Sequence, residues 1–123
     1  MNWTKEEQEK HRNLVADALE SGEYQQCIGT LKDGNEFCCL GVACDVFKKE
    51  TGKGKWNDTF FMVDSEASQI CLVTEVRSWL GLKSDEGFYQ TDKGLTTHND
   101  DDGWTFEEIA KLFRDPPEGL VDE

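Results

Sequence analysis

Three cysteines crowd one short stretch, EFCCLGVACD, with Cys38 and Cys39 adjacent and Cys44 five positions further on. A thiol where a strand hands over to a helix faces the positive end of the helix dipole, which favours the thiolate. Cys38 or Cys39 in that position would be a nucleophile if a base stood beside it. The chain has two histidines, His11 and His98, and His98 lies in THNDDDG next to Asn99 and Asp100. Cys39, His98 and Asp100 are therefore a chemically sensible trio of nucleophile, base and orienting carboxylate. The linear order does not show that they meet. Free cysteine is also among the most buried residue types and packs as a small hydrophobe. On that reading the corner is packing.

Cys27, Cys38, Cys39 and Cys44 are enough thiols for a zinc site. Their spacing departs from two C-x2–4-C pairs, and adjacent residues on a strand point to opposite faces, which makes a poor chelate. HNDDDGWTFEEI superficially resembles a calcium loop, but with Gly103 at loop position 6 the first and last ligand positions fall on His98 and Ile109, neither of which is a carboxylate. The glycines of GNEFCCLG and GKGKWND match no phosphate-binding fingerprint, and neither a serine elbow nor H-E-x-x-H occurs. No cofactor is expected.

The elements that must position these residues follow from pattern. TKEE is a capping box, Thr4 at the N-cap and Glu7 reaching back, and His11, Leu14, Val15, Ala18 and Leu19 form the apolar stripe of a first helix that stops at Gly22. Strands near 25–32 and 36–39 flank KDGN as a hairpin, with Gly29 marking a bulge or close approach. A second helix starts near Leu40 with Ala43, Cys44 and Phe47 on one face and ends at Gly52. GKGKWND reads as an exposed loop carrying Trp56, TFFMV as a short strand and DSEASQ as another loop. VTEVRSWLGL predicts a third helix with a Schellman end at Gly81, and FYQTD one more strand. The residues around His98 read as an acidic loop. Trp104, Thr105, Glu108 and Ile109 then combine a capping box with a hydrophobic staple and open a last helix that DPPEG ends.

These elements predict one α+β domain over 1–117: a central hairpin plus one or two short strands packed against about four helices, with a frayed acidic tail over 118–123. The net charge is −13, and its distribution is uneven. Residues 1–62 carry 8 basic and 11 acidic side chains, whereas residues 63–123 carry 5 and 15. Such a surface repels nucleic acid and anionic membrane and attracts a basic surface, although acidity also serves plain solubility. No apolar run approaches the roughly 20 residues of a membrane span, and the N-terminal residues lack a signal-peptide core. A cytoplasmic location with reduced thiols is expected.

YQQCIGTLKDGNEFCCLGVACDVF, then VRSWLGL, then NDDDGWTFEEIAKLF resembles, in that order, a family of small uncharacterised proteins found in bacteriophage genomes and some bacteria. The likeness spans about residues 12–114, and the CCLGV corner is its specific part. It implies a phage or prophage origin and brings no activity or catalytic residues. The chain departs from the family pattern at His98, where leucine is usual, and at Val73, where proline is frequent. A histidine absent from relatives weakens Cys39 with His98 as a shared catalytic pair. The leading expectation is an accessory protein that binds a host protein's basic surface through Asp100, Asp101, Asp102, Glu107, Glu108 and Asp115, with Trp56 as an exposed aromatic contact. A thiol enzyme and a zinc-stabilised module are the alternatives.

Overall fold

Both predicted capping boxes form. Thr4 accepts from Glu7 N at 3.1 Å and Glu7 returns the bond to Thr4 N at 2.9 Å, opening α1 (Lys5–Glu20). Thr105 and Glu108 do the same for α5 (Phe106–Arg114). In the computed structural model, which describes residues 3–122, α1 and α5 pack together. Arg114 spans their outer seam, 2.6 Å from both Asp17 and Glu20.

The next helix in the chain is α2 (Cys39–Thr51), whose first six residues are all buried. A helix apolar around most of its circumference belongs inside, and α2 packs against α1 and α3 (Thr74–Leu80). The predicted Schellman end of α3 is present: Gly81 has φ 75° and Leu82 N–H reaches Arg77 O at 3.2 Å. Helix α1 satisfies the last carbonyls of α3. Gln8 Nε2 donates to Ser78 O (2.9 Å), His11 Nδ1 to Trp79 O (2.7 Å) and Arg12 to Leu80 O (2.7 Å), so one helix face caps the end of its neighbour. His11 also stacks on Trp79 with ring centroids 4.1 Å apart. At the other end of α3, Val73 offers no side-chain cap, and the Glu66 carboxylate accepts from Thr74 N instead.

The strands depart from expectation in three places. The run expected over 25–32 is split into β1 (Gln25–Gln26) and β2 (Lys32–Asp33), because Gly29 takes φ 83° and turns the chain out of the sheet. Only β2 and β3 (Glu36–Phe37) form the hairpin; β1 runs parallel to β3 on its other edge. GKGKWND is not a loop throughout. Its second half is β4 (Lys55–Asn57), which with β5 (Phe60–Val63) and β6 (Glu66–Ser68) makes an antiparallel meander, so DSEASQ also contains a strand. Its turns place Asp58 and Asp64 at positive φ, which aspartate tolerates better than most residues. The third departure is that FYQTD leads into a small hairpin, β7 (Phe88–Gln90) with β8 (Lys93–Gly94).

The residues read as an acidic loop contain the six-residue α4 (Leu95–Asp100), which joins the four longer helices among the described residues. Residues 118–122 of the expected frayed tail are pinned. Leu120 is buried, Val121 bridges to Leu82, and Asp122 N–H reaches Gly81 O at 2.7 Å. Glu123 lies outside the described residues. The whole is an α+β domain with three small sheets around a helical core.

Candidate functional site at the cysteine corner and the acidic helix

Cys38 is the N-cap of α2, and its sulfur accepts from Gly41 N at 3.3 Å. Gly41 sits under the Leu31 carbonyl, and a Cβ there would lie 1.9 Å from Leu31 O. No other residue type fits this first turn without moving backbone. Leu31 O is held in place by Cys38 N–H at 3.1 Å. CCLGV is thus the sequence of a helix start pressed onto a crossing chain.

The thiols around it are buried and separately engaged. Cys39 and Cys44 have no exposed surface, and Cys39 donates to Leu95 O at 3.5 Å. Burial pushes both thiols well above the usual cysteine range. Burial likewise lifts Cys38 to about 12, against the opposing hydrogen bond from Gly41. Cys27 rises to about 11, through burial first and then the charges of Asp33, Glu36 and Asp100. The helix dipole is outweighed, because desolvation penalises the thiolate more than one N-terminus rewards it. The suggested zinc quartet does not converge: among the described residues no group of three or more His, Cys, Asp or Glu side chains is arranged to hold a metal ion.

The trio of Cys39, His98 and Asp100 is not assembled. His98 is buried on α4 rather than exposed in a loop, and its nitrogens serve other partners. Nδ1 lies 2.8 Å from Asp102 Oδ2 and Nε2 lies 2.7 Å from the Tyr89 hydroxyl. An ionised carboxylate only accepts, so in the neutral ring Nδ1 carries the proton and Nε2 accepts from Tyr89. The ring stacks on Trp104, centroids 3.8 Å apart and planes 8° from parallel. This carboxylate–imidazole–phenol chain can pass a proton, but burial and the Asp102 charge raise the Tyr89 pKa, which disfavours a phenolate nucleophile.

Asn99 is the hub that joins the corner to α4. Its Oδ1 accepts from Cys39 N (3.2 Å) and Gln26 Nε2 (2.8 Å), and its Nδ2 donates to Cys27 O (2.9 Å) and Asp100 Oδ1 (2.8 Å). All four bonding positions of this buried amide are filled. Gln26 also donates to Trp104 O at 2.8 Å, which ties β1 to the lead-in of α5.

A family model described as a domain of unknown function (DUF8296) matches residues 7–116. The chain belongs to the DUF8296 family. No curated protein and no solved structure matches it.

The acidic residues singled out in this DUF8296 chain divide into two groups. Asp101, Glu107 and Asp115 are exposed, while Asp100 is partly buried against Asn99 and Asp102 is held by His98. Glu108 is exposed but engaged in the α5 capping box. Trp56 is half-buried in β4. Its Nε1 donates to Asp45 at 3.1 Å, and its ring lies against Phe61 at 4.9 Å and Phe37 at 5.7 Å. Asp45 also accepts from Tyr24 at 2.6 Å. Burial alone would raise Asp45, but the bonds from Tyr24, Trp56 and Lys49 outweigh it and hold the carboxyl below its usual range. Sequence reasoning missed Asn99, Gln26, Tyr89 and the pairing of His98 with Asp102. The available signal was the i, i+4 spacing of His98 and Asp102, which a loop reading hides.

Proposed function

We propose that this DUF8296 protein is an interaction module whose acidic C-terminal half docks on a basic protein surface. The observation that carries this is the surplus of uncompensated charge. Of 26 acidic residues, five carboxylates among the described residues (Asp17, Glu20, Asp45, Glu75 and Asp102) stand within 4.0 Å of a basic side chain. Asp101, Glu107 and Asp115 project from α4 and α5 and their flanks, elements whose inner faces are buried, so the charge is displayed on a rigid base. A fixed charged face accelerates encounter with its complement and rejects like-charged partners. The likeness to phage-borne proteins makes a host protein in the cytoplasm the partner in this proposal, one whose basic surface otherwise takes nucleic acid. Among the described residues no helix is long and apolar enough to cross a membrane.

The test is affinity capture from host lysate with the wild type and with D100N/D101N/D102N, at about 0.1 M and about 1 M salt, where screening lengths differ roughly threefold. The expected partner is held by the wild type at low salt, released at high salt and captured poorly by the variant. With the partner identified, the variant should show a reduced association rate. Equal association rates for the two proteins would overturn the proposal.

A further inference from the structure

Among the described residues three large hydrophobic side chains are exposed: Ile28 at 63%, Ile70 at 56% and Phe60 at 40%. They belong to three separate segments, yet all lie within two residues of a single junction. Gln69 O accepts from Leu31 N at 2.7 Å and from the Thr30 hydroxyl at 2.9 Å, and Gln69 Oε1 accepts from the Thr59 hydroxyl at 3.1 Å. Ile28 precedes this junction on the loop between β1 and β2, Phe60 follows Thr59, and Ile70 follows Gln69. Most of the other large apolar side chains form the core or pack against it, and Phe88 and Met62 are half-buried, so three exposed apolar residues gathered around one junction call for a partner.

The surroundings of the cluster decide which partner. Beside Ile28, Asn99 bonds both Cys27 O and Asp100 Oδ1, and Cys27 N–H reaches Phe37 O next to the Asp33–Glu36 pair of the hairpin, so three carboxylates stand near that end. Beside Ile70, Leu72 N–H reaches Asp85 O at 2.9 Å, which brings Asp85 and Glu86 to the other end. The apolar centre is therefore flanked by acid on both sides, with two basic groups nearby: Lys55 opposite Met62 on the meander, and Lys32, whose ammonium is turned back onto Gly34 O and the Phe37 ring. A second copy of this chain would bring two acidic rims together on molecules of net charge −13, and like charge opposes that pairing. We infer that Ile28, Phe60 and Ile70 form the apolar centre of a docking face for a basic amphipathic segment, an apolar stripe edged by lysine or arginine. The inference rests on the acidic-docking reading and adds to it the contact that excludes water, which typically carries most of the binding energy.

The probe is a fluorescein-labelled helical peptide with leucines on one face and lysines on the other; its control has serine in place of each leucine. Anisotropy titrations would compare the wild type, I28S/I70S and D100N/D101N/D102N, with circular dichroism confirming that each is folded. The wild type should bind the leucine–lysine peptide more tightly than the serine–lysine one. I28S/I70S should lose about tenfold or more for the former and remain unchanged for the latter, whereas D100N/D101N/D102N should weaken both. If I28S/I70S binds the leucine–lysine peptide like the wild type while the acidic variant weakens both peptides, the apolar centre is overturned and acidic docking survives. If neither variant changes either peptide, both readings fail. A wild type without preference between the peptides overturns the apolar centre, as does sedimentation showing a dimer that I28S/I70S dissociates, since the face would then belong to a second copy.

Discussion

The short segment from His98 to Asp102 faces two ways, and its two sides do different work. Inward, Asn99 fills all four of its hydrogen bonds and fastens α4 to β1 and to the first turn of α2. Outward, Asp101 stands in solvent and Asp102 is only partly withdrawn, through its bond to His98. Five consecutive polar residues thus separate into fold-holding and partner-facing groups. A polar residue's role is set by whether its bonds are completed within the protein or left for another molecule.

The sharpest way to break the contrast is at its inner limit. Gly41→Ala puts a methyl against the Leu31 carbonyl, where a Cβ has 1.9 Å of room. The expected cost is above about 4 kcal/mol, read as loss of the cooperative thermal transition or of soluble protein. Asn99→Ala strands Cys27 O and removes the partner of Cys39 N, both buried. Chemical denaturation should show a loss of about 3 kcal/mol. Asp45 extends the comparison to a carboxylate that is paired inside. Its folded pKa lies below the unfolded value, so its contribution is complete above about pH 4 and is lost as pH falls through the lowered folded value. Tyr24→Phe should remove about 1 kcal/mol near neutrality and flatten the acid limb of the stability profile. The outer group should respond least: D101N is expected to change stability by about 0.5 kcal/mol or less, whereas D100N/D101N/D102N should lose about 1 kcal/mol through the bonds of Asp100 to Asn99 and of Asp102 to His98. A cost of several kcal/mol for D101N would erase the distinction between the two sides.

The helices with strong local signals were legible in the sequence. Thr4 and Thr105 open capping boxes, Gly52 and Gly81 take the left-handed cap, and the apolar stripes lie inward. What escaped was structure of two to six residues. Helix α4 is too short and polar to show a 3.6-residue period, and β4 and β6 hide in polar runs because one face of the meander is exposed. The polar sequence neighbours of Trp56 leave exposure and local packing both open, and its spatial neighbours, Phe37, Phe61 and Asp45, show the packing. The packing role of CCLGV was readable from residue types, but the reason for Gly41 was not, because Leu31 crosses it through a tertiary contact. Asn99 was legible only as a neighbour of His98, since its four bonds reach residues as far away in sequence as Cys27.

The measurement that goes most directly to the central claim, that the cysteine corner holds the fold and does no thiol chemistry, is site-resolved alkylation of the native protein with iodoacetamide near neutral pH, read by mass spectrometry. Cys71, the most exposed of the five thiols, should react first, and Cys39 and Cys44 should stay unmodified until the protein unfolds. Rapid modification of Cys39 in the folded protein, ahead of Cys71, would contradict the account and return Cys39 to the role of a nucleophile.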